Sequence, residues 1–133
     1  MSVTGIVLRE DGRVLAIERR DDGRWVPPGG VLELDEAPES GVAREVFEET
    51  GVLVKAEGLT GVYKNMVMGV VTLAFRCHVI GGEGRATDEA AAVAWLTMEE
   101  VGAKMPEARA VRVFDAVRVG GPFVRVHDGT RVI

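Results

Sequence analysis

Short apolar runs alternate with turn residues along most of the chain, and this pattern predicts several β-strands. Val3–Glu10 and Val14–Arg20 are separated by an Asp-Gly pair, which is typical of a hairpin when it lies between two apolar runs. Residues 25–30 contain two prolines and two glycines, so we predict a rigid loop or a bulged strand there. Four further strands are predicted, at Val31–Leu34, Val52–Lys64, Met66–Ile80 and Ala90–Leu96.

One long helix is predicted in the second quarter of the chain, at Glu39–Thr50. Pro38 suits a first helical turn, because that turn leaves its backbone N–H groups unpaired in any case. Gly51 suits the left-handed position that commonly ends a helix.

The last third of the chain mixes helix and strand signals. Residues 97–100 have the spacing of a capping box and predict a short helix to about Lys104. A second helix is predicted from Pro106 to about Arg118, and Phe123–Ile133 is predicted to be a hairpin. Strands dominate and helices are interspersed, so we expect an α/β fold with one mixed sheet covered by helices on both faces. We predict a single domain over residues 1–133.

Length and composition are those of a compact domain. The chain has 133 residues, 47% hydrophobic and 28% charged, which suffices for a core without disulfides. No apolar stretch approaches the ~20 residues of a membrane span, and residues 1–5 lack the features of a signal peptide. The single cysteine, Cys77, lies in an apolar run and is predicted to be a buried thiol. These features favour a cytoplasmic protein.

The charge balance narrows the class of binding partner. The net charge is −5 and the pI about 5.1, whereas binding to a nucleic-acid polymer requires a basic surface. A single nucleotide remains compatible with this charge, because carboxylates bind phosphate when metal ions lie between them. The sequence leaves open whether the chain is a monomer or a homodimer.

The predicted helix carries the residues with the clearest chemical meaning. Glu45, Glu48 and Glu49 are related as i, i+3 and i+4, so they share one face. The opposite side is predicted to hold the apolar stripe and to anchor the helix, through Ala43, Val46, Phe47 and Thr50. Like charges at this spacing destabilise a helix by a few tenths of a kcal/mol per pair, and divalent cations would offset this repulsion. Taken alone, the pattern is also compatible with a solvated acidic face.

The spacing around this helix resembles the Nudix box. Gly30 is followed by five residues, Glu36, seven residues and then the run from Arg44 to Val52, which reads REVFEETGV. The box of that family is Gly, five residues, Glu, seven residues, Arg-Glu-aliphatic-any-Glu-Glu-any-Gly-aliphatic, and every defined position is matched. The resemblance covers about a sixth of the chain, and it implies the α/β/α sandwich of the Nudix fold.

The resemblance implies a role for each matching residue. Glu45, Glu48 and Glu49 correspond to metal-binding glutamates, and the carbonyl of Gly30 corresponds to a backbone ligand. Arg44 corresponds to an arginine that orients a metal-binding glutamate. The implied cofactor is Mg²⁺ or Mn²⁺, and Glu36 corresponds to a glutamate that braces the loop and helix.

Candidates outside the box are less specific. Family members often recruit one more acid from a loop before a later strand, and Glu89 is our choice over Asp88 and Glu83. Arg20 lies where members that cleave oxidised dGTP often have a phosphate-contacting arginine, and surface charge is the alternative interpretation. Trp25 is a candidate for stacking on a base, with burial beside the Gly-Gly turn as the alternative.

Together these features predict a hydrolase that cleaves a phosphoanhydride bond in a nucleoside diphosphate linked to another moiety. A nucleoside triphosphate is the expected substrate, giving a nucleoside monophosphate and pyrophosphate. ADP-ribose or another nucleotide sugar is the alternative substrate, and a nucleotide-binding sensor without activity is the alternative function. The general base is expected to be a glutamate of the helix or Glu89, and the sequence does not choose between them.

Overall fold

Four strands precede the first helix of the chain, and the computed structural model describes all 133 residues. There are eight strands and three helices. Their bounds are β1 Ser2–Val7, β2 Val14–Arg19, β3 Trp25–Val26, β4 Gly29–Val31, α1 Pro38–Thr50, β5 Val52–Asn65, β6 Val71–Gly82, β7 Ala90–Leu96, α2 Met98–Lys104, α3 Glu107–Val117 and β8 Phe123–His127. None of the helices is both long and apolar enough to cross a membrane.

The strands form two sheets. A five-stranded mixed sheet has the order β4-β1-β6-β5-β8, in which β1 pairs with β6 and β5 with β8 in parallel. A smaller antiparallel sheet has the order β3-β2-β7. The α/β class and the mixed sheet are confirmed, but the expectation of one sheet is wrong. Both edges of β1 are occupied by β4 and β6, so β2 pairs with β7 instead of forming a full hairpin with β1.

Helices α1 and α3 cover opposite faces of the larger sheet, as predicted. Successive side chains along a strand point to opposite faces of the sheet. Val3 of β1 lies in a core cluster with Val46 of α1, whereas Ile6 lies in a second cluster with Val113 of α3. Strand β1 is therefore the layer that separates the two helices. The prediction of a buried thiol is also confirmed, since Cys77 is fully buried in the same core cluster as Val46.

Helix α1 begins and ends as predicted, but its faces differ from the prediction. Gly51 has φ of 79° and its N–H donates to the carbonyl of Phe47, which closes the helix. Val46 is buried, whereas Phe47 is 40% exposed and does not anchor the helix. Glu45 and Glu49 are themselves buried, with 9% and 6% of their surface exposed. The predicted separation of the glutamates from the core is therefore wrong for these two residues.

Several strand bounds also differ from the prediction. Residues 25–30 form two short strands that flank Pro27-Pro28, and β4 ends at Val31 instead of continuing to Leu34. Residues 66–70 form the turn between β5 and β6 instead of the start of a strand. The side-chain oxygen of Asn65 accepts the N–H groups of Val67 and Met68 there. The predicted final hairpin is reduced to one bridge between His127 and Val132, and β8 pairs in parallel with β5.

Candidate active site

Three glutamate side chains converge beside the loop that precedes α1. One carboxylate oxygen from each of Glu45, Glu49 and Glu89 lies within 4.8 Å of the others. Glu45 and Glu49 are one helical turn apart on α1, and Glu89 directly precedes β7. Two of the three are therefore fixed by one rigid helix, and the third comes from the edge of the smaller sheet.

Glu49 is the most buried member of this glutamate cluster. It is 6% exposed, and its Oε1 accepts the backbone N–H of Gly29 at 2.7 Å. Burial, reinforced by the negative charges of Glu45 and Glu89, raises the pKa of Glu49 to about 8. Burial also raises the pKa of Glu45, although the hydrogen bond from Arg44 opposes that change.

The glutamate cluster fits a divalent cation. It supplies hard carboxylate oxygens, which Mg²⁺ and Mn²⁺ prefer, and its carboxylates repel one another when they are ionised and no cation is bound. Gly30 contributes to the fit because a Cβ at this position would overlap the carboxylate of Glu45. The absence of a side chain at Gly30 thus lets the carboxylate lie against the backbone of β4.

Arg44 connects the cluster to the loop before α1. Its Nε and Nη2 donate to the two oxygens of Glu36 at 2.6 and 2.9 Å, and its Nη1 donates to Glu45 Oε1 at 2.9 Å. The guanidinium holds the pKa of Glu36 below its usual range. A planar guanidinium that is fixed at one side by a bidentate pair can orient a carboxylate at the other.

The remaining candidates from the sequence lie at different distances from the cluster. Glu48 is exposed and accepts from Arg44 Nη1 at 3.2 Å, outside the group formed by the other three carboxylates. Arg20 lines a cavity of about 570 Å³ together with the glutamate cluster, and its Nε donates to the carbonyl of Thr87 at 2.8 Å. Trp25 lines neither this cavity nor the next one, and Lys104 lies 5.7 Å from its ring.

A second cavity, of about 410 Å³, contains residues that the sequence analysis did not identify. It extends from Gly29 and Glu49 to Arg109 and Arg112 of α3 and to His127 at the end of β8. The two arginines are three positions apart in the predicted helix, which places them on one face. That spacing was the one available signal, and nothing in the sequence linked it to the glutamates.

The raised pKa of Glu49 predicts how the stability of the metal-free protein depends on pH. Between the ordinary value of about 4.5 and the folded value of about 8, the folded state binds more protons than the unfolded state. Stability is therefore present in full below that window and falls as the pH rises through it. We expect the Tm of EDTA-treated protein to fall from pH 5 to pH 8, and Glu49→Gln to flatten the profile. An unchanged slope in the variant would contradict this assignment.

Comparison with known proteins gives consistent matches. The family model for the NUDIX domain matches residues 1–116. A MutT-like protein of Streptomyces ambofaciens is 57% identical over 133 residues, which is 100% of this chain and 86% of that protein. An ADP-ribose pyrophosphatase of Methanocaldococcus jannaschii is 37% identical over 97 residues, which is 68% of this chain but only 57% of that protein.

Solved structures show the same fold. The crystal structure of an ADP-ribose pyrophosphatase from Streptococcus suis superimposes with a TM-score of 0.78. The match covers 95% of this chain and 97% of that one, at 19% sequence identity. At this identity the likeness concerns the architecture alone.

Proposed function

The chain belongs to the Nudix hydrolase family, and from that premise we propose that it cleaves a nucleoside triphosphate to a nucleoside monophosphate and pyrophosphate. The observation that carries the proposal is the convergence of Glu45, Glu49 and Glu89 within 4.8 Å. Arg20 supports a polyphosphate substrate, because it lines the same cavity as the glutamate cluster and adds a positive charge there.

The cluster would hold Mg²⁺ or Mn²⁺ through Glu45, Glu49 and Glu89, and the family resemblance adds Glu48 and the carbonyl of Gly30. A bound divalent ion supplies charge neutralisation on the bridging phosphates and makes water more acidic. The N–H of Gly29 fixes Oε1 of Glu49, which leaves the other oxygen of that carboxylate to bind the ion. Arg44 keeps Glu45 in position throughout.

Glu89 is our choice for the residue that accepts the proton of the attacking water. It is exposed to solvent and does not belong to α1, whereas Glu45 and Glu49 are buried and held by neighbouring donors. Attack of the water oxygen on phosphorus breaks the anhydride P–O bond, and the leaving oxygen departs with pyrophosphate. The proton lost by water passes to the oxygen of the Glu89 carboxylate that does not bind the ion.

ADP-ribose is the second candidate substrate. The relative from Methanocaldococcus jannaschii and the solved structure from Streptococcus suis both carry the name ADP-ribose pyrophosphatase. Cleavage of ADP-ribose would use the same cluster and the same bond type, so the two candidates differ only in what the cavities accept.

A substrate comparison tests the proposal. We expect Mg²⁺-dependent release of pyrophosphate from GTP, dGTP or 8-oxo-dGTP, with kcat/KM about tenfold or more above that for ADP-ribose. Activity should disappear with EDTA and return with excess Mg²⁺. A clear preference for ADP-ribose would establish the second candidate, and no metal-dependent hydrolysis of any of these nucleotides would contradict the proposed function.

A further inference from the structure

The 410 Å³ cavity joins the glutamate cluster to a group of positively charged and donor side chains. Its lining includes Glu49 at one end and Arg109, Arg112 and His127 at the other, and we call these last three residues the distal donor group. The family assignment and the proposed function give the distal donor group no role. The hydrogen bonds of these three side chains show that the group lacks an anionic acceptor.

Arg112 is buried without an acidic partner. It is 3% exposed, its Nη1 donates to Thr4 Oγ1 at 3.2 Å, and its Nε has no hydrogen-bond partner. No carboxylate lies within ion-pair distance, and besides Thr4 the guanidinium has the face of Tyr63, 5.3 Å away, as a compensating contact. Burial and the charge of Arg109 lower the pKa of Arg112 to about 9. A buried guanidinium in this state lacks the anion that normally accompanies it.

His127 adds a second donor at the same point. Its Nδ1 accepts the backbone N–H of Gly129 at 3.0 Å, so in the neutral ring the proton lies on Nε2. Burial and the nearby arginines lower the pKa of His127, which favours this neutral ring. Nε2 lies 3.3 Å from Nη2 of Arg112, and both of these atoms are donors. Two donors thus converge on one place and neither has an acceptor there.

Arg109 increases the positive charge around this place. It makes no ion pair, and burial together with the charges of Arg19 and Arg24 lowers its pKa. Two unpaired guanidiniums on one helix face, three residues apart, repel each other. A neutral acceptor would satisfy the hydrogen bonds but would leave both charges uncompensated, whereas an oxyanion would satisfy both requirements.

The distal donor group lies within reach of the glutamate cluster. Arg112 contacts Thr4, Thr4 is the register partner of Gly29 in the β1–β4 pair, and the N–H of Gly29 binds Glu49. Summed along these contacts, the path from the guanidinium to the carboxylate is at most about 15 Å. One small molecule can therefore occupy both ends of the cavity.

The geometry points to Arg109, Arg112 and His127 as the binding site for an oxyanion at the far end of the substrate, beyond the anhydride that the glutamate cluster cleaves. The oxyanion is the terminal phosphate of a nucleoside triphosphate or a carboxylate on the sugar of a nucleotide sugar. The link to cleavage rests on the proposed function, whereas binding of the anion does not.

The first test uses metal-free protein and inorganic phosphate or acetate, read by thermal shift and by NMR chemical-shift changes. We expect phosphate to raise the Tm of the wild type. Arg112→Met should begin with a Tm about 3 °C or more above the wild type, because it removes an unpaired buried charge, and should no longer respond to phosphate. Arg109 lies in a less buried position, and Arg109→Gln should weaken the affinity for phosphate about tenfold. Arg85→Gln, outside the cavity, is the control and should respond as the wild type does.

The outcomes of this test separate binding from a structural role. A phosphate response that is unchanged in both Arg112→Met and Arg109→Gln would overturn the inference, as would no response of the wild type to either anion. Binding of uncharged bases alone, in place of phosphate and acetate, would also overturn it.

The second test identifies the source of the oxyanion through matched substrates in the presence of Mg²⁺. GTP is compared with GDP for the phosphate, and UDP-glucuronate with UDP-glucose for the carboxylate. We expect either GTP or UDP-glucuronate, the member of each pair with the extra anionic group, to have a KM about tenfold lower than that of its matched substrate. Arg112→Met should abolish that difference. Equal KM values within both pairs in the wild type would overturn the link to the substrate.

The two tests also separate this inference from the proposed function. If the metal-free protein binds phosphate through Arg112 but hydrolyses no nucleotide, the distal site stands and the proposed function fails. If the enzyme hydrolyses nucleotides but neither phosphate nor acetate binds without metal, the proposed function stands and the distal site fails.

Discussion

Glu49→Gln is expected to lower kcat by about 10³-fold while leaving the fold intact. Glutamine keeps an oxygen that can accept the N–H of Gly29, but it loses the charge that a cation requires. Because the pKa of Glu49 is raised to about 8, the metal-free protein already holds this carboxyl largely protonated at pH 7. The uncharged glutamine side chain therefore resembles the protonated form of Glu49, in which the folded protein is most stable. Steady-state kinetics with Mg²⁺ and a thermal melt measure the two effects.

The matched control is Glu39→Gln, in the first turn of the same helix. Glu39 does not belong to the glutamate cluster, so its variant should keep wild-type turnover. Wild-type kcat in Glu49→Gln would contradict the role of this carboxylate. A large fall in the Tm of Glu49→Gln at pH 8 would show that its charge instead stabilises the fold.

Gly30→Ala is expected to lower kcat by about 10²-fold and to weaken Mg²⁺ binding. The added methyl group would overlap the carboxylate of Glu45, with its Cδ 2.5 Å and its Oε1 2.8 Å from the new Cβ. Glu45 must rotate away to relieve this overlap, and the carboxylates of the cluster then no longer converge. Titration with Mn²⁺, followed by electron paramagnetic resonance, measures the loss of affinity, and an assay at saturating Mg²⁺ measures turnover.

Gly58→Ala serves as the control for the added methyl group. Its Cβ would meet no atom within 4 Å and its φ is not in the left-handed region, so activity and Mn²⁺ affinity should stay unchanged. If Gly30→Ala bound Mn²⁺ as tightly as the wild type, the proposed position of Glu45 against β4 would be wrong.

Local sequence signals predicted the helix that carries the glutamates with good accuracy. Pro38 and Gly51 act through backbone preferences that need no distant partner, so both ends of α1 were predictable. The same holds for α2, where Thr97 and Glu100 form the predicted capping box. The spacing of the acids on α1 followed from helical geometry alone.

Features that depend on tertiary pairing were harder to predict. The exposure of Phe47 depends on which face of α1 the sheet covers, and the pairing of β2 with β7 depends on the occupied edges of β1. The distal donor group combines residues from α3 and β8, and each of its members looks ordinary in the sequence. Only the folded chain shows that Arg112 and His127 direct donors at the same point.

The position of β8 has a consequence for how such a protein can change its selectivity. This strand forms the outer edge of the larger sheet and pairs along its length with β5, yet it carries His127 into the cavity. The glutamate cluster belongs to α1 and to the approach to β7, so none of its residues lies on this edge strand. Replacing this edge segment would therefore change which substrates the cavity accepts and leave the glutamates that hold the metal in place. Evolution or engineering can vary the two parts separately.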